Sequence, residues 1–135
     1  MVMQKVELFW LTLTTVLTGL IWVPYMLDRI AVRGLMTTFD NPSLRHKPQT
    51  IWAVRLMNAH INQIENLVIF AILVLVLDAL AISTPATVLA CAVFFWARLV
   101  YLVVYALGVP VLRTLAFTVG FLAQVALVLA IFRII

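Results

Sequence analysis

Charged residues are scarce in this sequence. Nine Lys and Arg and five Asp and Glu make up 10% of its 135 residues, whereas hydrophobic residues make up 66%. A water-soluble domain of this length could not bury so much apolar surface, because small globular proteins keep a large share of their surface in water. The composition therefore excludes an ordinary soluble domain and indicates an integral membrane protein.

Cysteine is nearly absent as well. The single cysteine, Cys91, excludes an internal disulfide and a thiolate metal cluster, and its apolar surroundings in the sequence are typical of a buried small side chain. The formal net charge is +4, but the basic residues mostly flank apolar runs and are not clustered with exposed aromatic residues. This pattern favours charge on membrane-flanking loops, so we expect no nucleic-acid partner. We also expect no bound metal, because the sequence has a single cysteine.

Four apolar runs are long enough to cross a bilayer, which takes about 20 residues of helix. The predicted spans cover about residues 6–27, 56–77, 86–107 and 111–132, and the last three are joined by short turns. The first run is expected to be retained, because Glu7 replaces the basic start of a signal peptide and no small-residue cleavage site follows. We therefore predict an all-α integral membrane protein, a single domain of residues 1–135 built as a four-helix bundle with antiparallel neighbours.

Basic residues predict the orientation of the bundle. They are concentrated in the long connection, about residues 28–54, which contains Arg29, Arg33, Arg45, His46 and Lys47. The turn between the second and third spans has no Lys or Arg, whereas Arg113 lies just past the third turn. The positive-inside rule therefore places the long loop and the third turn in the cytoplasm, and both termini on the other side.

The second predicted span carries a polar stripe in the stretch RLMNAHINQIENLVIF, residues 55–70. A helix turns about 100° per residue, so Asn58, Asn62, Glu65 and Asn66 all fall within about 80° of Arg55. Glu65 lies about 15 Å deeper than Arg55, near the bilayer midplane. An ionisable group there costs ~2.5 kcal/mol or more unless it faces the protein interior. The stripe either only joins helices by hydrogen bonds or lines a cleft for a hydrophilic ligand, and its length favours the cleft.

The third span is predicted to supply the partner of this carboxylate. Arg98, Tyr101 and Tyr105 follow an i, i+3, i+7 spacing and share one face, and Arg113 follows the next turn. Together with the stripe they would line a site on two sides. His60 lies about 140° from Arg55 on the same helix. It is expected either to be satisfied by a local hydrogen bond or, in an oligomer, to reach the cleft of a neighbouring subunit.

These residues resemble the MAPEG family, the membrane-associated proteins in eicosanoid and glutathione metabolism, and in particular its bacterial branch. The matching positions are Arg55, Ala59, Asn62 and Glu65 in the stretch above, and Arg98, Tyr101, Tyr105 and Arg113 in ARLVYLVVYALGVPVLRTLAFTVG. FDNP, residues 39–42, resembles a loop of the prostaglandin-synthase members. The resemblance implies a homotrimer of left-handed four-helix bundles in a bacterial inner membrane, with glutathione as co-substrate bound between subunits.

The resemblance also implies roles for individual residues. Those implied to bind glutathione are Arg33, His60, Asn62, Glu65, Arg98, Tyr101 and Tyr105. Arg113 would face the sulfur, where a guanidinium in a site of low dielectric favours the reactive thiolate. The implied activity is glutathione transfer to lipophilic electrophiles, or reduction of lipophilic peroxides, with the second substrate arriving from the bilayer.

Four positions differ from the characterised members and leave alternatives open. Asn58 occupies a position where several members have an arginine, and Ile61, Tyr101 and Phe117 differ from the prostaglandin-forming enzymes. These differences argue against eicosanoid-specific activities. One alternative is a non-catalytic trimeric membrane protein that binds lipids or presents them to a partner. Another is a small four-helix multidrug transporter, which would need a membrane-embedded carboxylate in the first helix, where Glu7 lies near the end.

Overall fold

The computed structural model describes residues 5–135, and residues 1–4 of the predicted domain lie outside the described part. Every regular element in residues 5–135 is an α-helix. In chain order these are α1 (Val6–Leu20), α2 (Trp22–Arg33), α3 (Leu35–Thr38), α4 (Ile51–Ala79), α5 (Pro85–Leu107) and α6 (Pro110–Ile131). Together α1 and α2 form one span, and α4, α5 and α6 are each long and apolar enough to cross a membrane. The predicted all-α fold with four spans is confirmed.

The first span is interrupted at Ile21, between α1 and α2. Pro24 explains the break, because proline has no N–H to donate to the carbonyl of Leu20 and its ring clashes with that carbonyl. Beyond the break α2 continues to Arg33 instead of ending near residue 27, and α4 begins at Ile51 instead of residue 56. The connecting loop is therefore shorter than predicted, and it contains the one-turn helix α3.

The two helices α4 and α5 form the centre of the bundle. The first span packs on one side of this pair, and α6 packs against both helices on the other side. The rings of Phe70 and Phe94 stack at the centre, with their centroids 4.0 Å apart. Small side chains such as Ala59, Ala97 and Ala123 are buried where the helices meet. Such residues let the backbones of membrane helices approach closely, and so allow tight packing without a hydrophobic driving force.

Polar contacts join the helices at the end away from the long loop. Glu7 is 4% exposed, and its Oε1 accepts hydrogen bonds from Ser83 Oγ at 2.8 Å and Thr87 Oγ1 at 2.6 Å. Lys5 Nζ lies 2.7 Å from Asp78 Oδ1, which joins the start of the first span to the end of α4. These contacts attach α1 to the turn between α4 and α5.

A second set of polar contacts joins the helices at the loop end. Asp28 Oδ2 accepts hydrogen bonds from the backbone N–H of Thr50 at 3.1 Å and from Gln49 Nε2 at 3.2 Å. Thr50 directly precedes α4, so a carboxylate on α2 caps the N-terminus of α4 and faces the positive end of its dipole. Arg29 Nε donates to Gln49 Oε1 at 3.0 Å and holds the same segment from the side.

Candidate functional site

A buried guanidinium lies at the middle of the bundle. Arg98 is 1% exposed, and it donates from Nε to Gln63 Oε1 at 2.6 Å and from Nη2 to Asn62 Oδ1 at 2.7 Å. Its guanidinium carbon lies 4.1 Å from the centroid of the Tyr101 ring. Gln63 in turn donates from Nε2 to Thr18 Oγ1 at 3.0 Å, so the contacts extend from α5 through α4 to α1. Amide oxygens and a π face therefore stabilise the charge of Arg98.

The partner of Arg98 differs from the sequence-based expectation. Glu65 was expected to pair with a group on the third span, but within residues 5–135 it forms neither an ion pair nor a hydrogen bond. Its side chain is exposed on the surface of the single chain. Gln63, which is fully buried, was not predicted as a functional residue. It lies about 80° from Arg55 on the helical wheel, at the edge of the polar stripe, and this position could have identified it.

Glu65 lines a groove between α4 and α6, which we call the α4–α6 groove. The groove has a volume of about 470 Å³, and its polar lining is Asn62, Glu65, Asn66 and Gln124. Asn66 Nδ2 donates to the carbonyl of Asn62 at 2.9 Å, and Gln124 Nε2 donates to the carbonyl of Asn66 at 3.2 Å. The rest of the lining is apolar: Ile69, Leu73, Phe117, Phe121, Val125 and Val128.

The α4 wall of the groove has a polar end near the loop and an apolar end farther from it, whereas the α6 wall is mostly apolar, with Phe117 and Phe121 on the loop side of Gln124. Short turns connect α4 to α5 and α5 to α6, so α4 and α6 run in the same direction, away from the long loop. On α4, Asn62 and Glu65 therefore lie nearer the loop, and Leu73 lies about 16 Å beyond Asn62. A molecule with a polar head and an apolar tail would fit this arrangement, with its head toward the loop.

Aromatic rings connect the groove to Arg113. The ring of Tyr101 lies 6.2 Å from that of Phe117, which lines the groove, and 5.6 Å from that of Tyr105. The guanidinium carbon of Arg113 lies 4.5 Å from the centroid of the Tyr105 ring, in cation–π geometry. Arg113 thus lies beside Tyr105 and not in the wall of the groove itself.

Arg55 adds a second cation near the turn between α5 and α6. Gly108, which ends α5, has a φ of +80°, and a β-carbon there would lie 2.5 Å from Arg55 Nη1. The guanidinium of Arg55 therefore packs directly on the turn. Neither Arg55 nor Arg113 has a carboxylate partner within residues 5–135. This end of the bundle is consequently electropositive and suited to an anionic group.

His60 is engaged within its own chain. Its Nε2 lies 2.9 Å from the backbone carbonyl of Thr18, and its Nδ1 lies 2.8 Å from the hydroxyl of Tyr25. Because a carbonyl can only accept, Nε2 carries the proton and Nδ1 accepts from Tyr25. Both ring nitrogens thus have hydrogen-bond partners within the same chain, which is the first of the two alternatives that the sequence left open for His60.

Arg33 is also separate from the groove. It is the last residue of α2, and its Nε donates to the backbone carbonyl of Lys47 at 2.7 Å in the long loop. The single chain therefore brings six of the predicted site residues together and leaves His60 and Arg33 elsewhere. The six are Asn62, Glu65, Arg98, Tyr101, Tyr105 and Arg113.

The side chains around the groove offer hydrogen bonds and charges to a ligand. In the described part of the chain, no three His, Cys, Asp or Glu side chains lie close enough together to hold a metal ion. The polar end offers amide donors and acceptors, one carboxylate and nearby guanidiniums. Such a set can bind a polar molecule that carries both an amine and carboxylates.

Comparison with known protein families assigns most of the chain to one family. The model of the MAPEG family matches residues 8–133, which include nearly all of the four spans. No curated protein and no solved structure matches the chain. The family is associated with glutathione and includes glutathione transferases, peroxidases and other members, which typically form trimers and bind lipophilic substrates. From the extent of this match and the four membrane-spanning helices, we conclude that the chain is an integral membrane protein and belongs to the MAPEG family.

Proposed function

We propose that the protein is a membrane-bound, glutathione-dependent transferase or peroxidase that acts on lipophilic electrophiles. It would function as a homotrimer in a bacterial inner membrane, with the loop around residues 28–54 in the cytoplasm. The observation that carries this proposal is the α4–α6 groove. The polar end of its α4 wall faces the loop, from which a water-soluble thiol would enter, and its apolar α6 wall would contact substrates dissolved in the bilayer.

The polar end supplies groups that match the glutathione tripeptide. Glu65 would pair with the amine, and Asn62 would bind a peptide group. Arg98 holds Asn62 Oδ1 at 2.7 Å, so it fixes the orientation of that amide and adds positive potential close to the ligand. Tyr101 and Tyr105, stacked beside Arg98 and Arg113, would hold the remainder of the tripeptide.

Arg33 and His60 would contribute through the trimer. Arg33 would meet a carboxylate of glutathione bound in the adjacent subunit, because its two terminal nitrogens form no hydrogen bond within residues 5–135. His60 would reach a neighbour's ligand by exchanging its bond with the hydroxyl of Tyr25. Both roles require a second chain.

The position of Glu65 supports assembly. On the single chain its side chain is exposed at membrane depth without an ion-pair partner in residues 5–135. A carboxylate facing hydrocarbon would cost roughly 2.5 kcal/mol or more. A neighbouring subunit that covers the groove would remove Glu65 from contact with lipid and enclose the ligand.

Arg113 would activate the thiol. A free thiol has a pKa of about 8.5, and only the thiolate is nucleophilic. A nearby guanidinium stabilises the anion, and the proton leaves to water. In transfer, the sulfur would then bond to the electrophilic carbon as the leaving group departs. In peroxide reduction, two glutathione molecules and one hydroperoxide would give one disulfide, one alcohol and one water.

Conjugation of a chlorinated nitrobenzene tests this proposal. The purified protein in detergent should form the glutathione conjugate, and Arg113→Ala should lower the rate by up to about tenfold for each unit by which the thiol pKa rises, because the thiolate fraction falls by up to tenfold per unit. Thiolate absorbance in the ultraviolet should fall in parallel. Arg133→Ala, at the opposite end of α6, is the matched control. An unchanged rate in Arg113→Ala would contradict the proposed role of Arg113.

A second function is favoured by the lining of the groove. Most of its lining residues are apolar, and Arg113 lies outside its wall. These features suit a non-catalytic trimer that binds lipids or presents them to a partner. Thermal unfolding with and without glutathione distinguishes the two functions, since a ligand at 100 times its Kd stabilises by about 2.7 kcal/mol. Absence of any shift at millimolar glutathione would favour the lipid-binding function.

A further inference from the structure

A small recess at the loop end of the first span is lined by two arginines that form no ion pair within residues 5–135. It has a volume of about 110 Å³ and lies among α2, α3 and the loop that follows, apart from the α4–α6 groove. The residues that matter for its chemistry are Arg29, Arg33, Thr37, Asp40 and His46. Its size suits a small anion and not a tripeptide.

The two arginines are held in place by their Nε atoms, which leaves other donors free. Arg29 Nε donates to Gln49 Oε1 at 3.0 Å, and Arg33 Nε donates to the carbonyl of Lys47 at 2.7 Å. Both guanidiniums are therefore anchored to the loop without contact to a carboxylate within residues 5–135. The terminal nitrogens of Arg33 and Nη1 of Arg29 form no hydrogen bond there.

A hydroxyl and an imidazole complete the recess. The neighbouring Thr38 hydroxyl donates back to the carbonyl of Gly34 at 2.8 Å, but that of Thr37 has no hydrogen-bond partner in the described chain. His46 Nε2 donates to the carbonyl of Asn41 at 3.1 Å and lies 3.7 Å from Asp40 Oδ2, whose side chain is 65% exposed. One exposed carboxylate faces two guanidiniums, so the recess keeps a net positive charge.

We propose that this recess binds a phosphate group, supplied by the headgroup of an anionic phospholipid. Arg29 and Arg33 occupy the last turns of the first span, at the depth where lipid phosphates meet the protein. Guanidiniums bind phosphate oxygens through charge-assisted hydrogen bonds, and a hydroxyl can donate to a further oxygen. The donors come from α2, α3 and the loop, so binding would order the loop against the span. Arg33 is the one residue that the recess shares with the proposed glutathione site, whereas Arg29 and Thr37 have no proposed role toward glutathione and can be tested separately.

Lipid retention and thermal unfolding test the site, with the full-length protein purified in a neutral detergent. Phosphatidylglycerol should be retained in native mass spectrometry and should raise the unfolding temperature. Arg29→Gln should weaken its binding about tenfold or more, because a charge-assisted bond is lost. Thr37→Val should weaken binding several-fold, and it leaves the fold intact because the Thr37 hydroxyl holds nothing within residues 5–135. Both variants avoid Arg33, which has a proposed role toward glutathione.

Inorganic phosphate distinguishes a free phosphate ion from a lipid headgroup as the ligand, and a control variant distinguishes a specific site from the general positive charge of the loop. Phosphate that stabilises the protein without retention of phosphatidylglycerol would keep the phosphate site but assign it to the free ion. Arg45→Gln is the matched control, because Arg45 is an exposed arginine of the same loop that does not line the recess. If neither ligand binds, or if binding is equal in Thr37→Val and the unmodified protein, the proposal is overturned. An equal loss in Arg45→Gln would also overturn it, since diffuse loop charge would then explain the binding.

Discussion

Replacing Gln63 with leucine tests how the bundle tolerates a buried arginine. Gln63 is fully buried, and its Oε1 accepts from Arg98 Nε at 2.6 Å while its Nε2 donates to Thr18 Oγ1 at 3.0 Å. Leucine has a similar volume, so Gln63→Leu removes both hydrogen bonds and creates little cavity. Within residues 5–135, Arg98 would keep only Asn62 and the ring of Tyr101 as partners.

The expected loss follows from the two bonds. A hydrogen bond to a charged group contributes about 1.5–3 kcal/mol, and a neutral interhelical bond in a membrane protein contributes about 0.6 kcal/mol on average. We therefore expect Gln63→Leu to lower the free energy of unfolding by about 2–4 kcal/mol. Thr18→Val removes this neutral interhelical bond and the bond from Thr18 Oγ1 to the carbonyl of Thr14 within α1, but it leaves the bond to the guanidinium, and it should cost no more than about 1.7 kcal/mol.

Unfolding by steric trapping in bicelles measures these free energies in a lipid environment. Adding Arg98→Met to Gln63→Leu should recover part of the loss, because removal of both partners eliminates the uncompensated charge. The reasoning is refuted if Gln63→Leu costs no more than Thr18→Val, or if the double variant is less stable than Gln63→Leu by the full cost of a second independent change. Either result would mean that the amide of Gln63 does not stabilise the guanidinium.

Two further changes test the backbone at the ends of the helices. Gly108→Ala should destabilise the protein by about 1–2 kcal/mol in the same unfolding assay, because φ is +80° there and the new β-carbon would displace Arg55. Gly19 lies inside a helix, and a β-carbon there would meet no other atom within 4 Å, so Gly19→Ala should instead stabilise the protein by about 0.5–1 kcal/mol. A loss of stability at both glycines would contradict this account. Asp28→Ala should lower the free energy of unfolding by about 0.5–2 kcal/mol and speed hydrogen exchange at the amide of Thr50, because the Asp28 carboxylate accepts a hydrogen bond from that N–H. Unchanged exchange at Thr50 would count against this cap.

Hydrophobicity was sufficient to predict the four spans but not their ends. The first span continues to Arg33 because polar side chains at its end bond the loop and the start of α4, as Asp28 does with Thr50. Runs of apolar residues carry no information about such contacts between distant segments. Pro24, in contrast, indicated a break in the sequence itself, and the break occurs at Ile21.

The sequence predicted which residues line the candidate site better than it predicted which side chains contact one another. Helical periodicity placed Asn62 and Glu65 on one face, and both line the α4–α6 groove. Periodicity within single helices cannot determine which side chains meet across helices, however. The sequence therefore suggested that Arg98 pairs with the carboxylate of Glu65, whereas Arg98 donates hydrogen bonds to the side-chain amide oxygens of Gln63 and Asn62.

The first span touches its neighbours through polar groups at three heights: Glu7 to Thr87, Thr18 to Gln63, and Asp28 to Thr50. An apolar helix beside other apolar helices could slide or rotate by a turn at little cost, because its side chains fit many registers. Three separate anchor points allow only one vertical position and one rotation. A bilayer of changed thickness should consequently tilt or deform around the whole bundle, and the first span should not shift on its own.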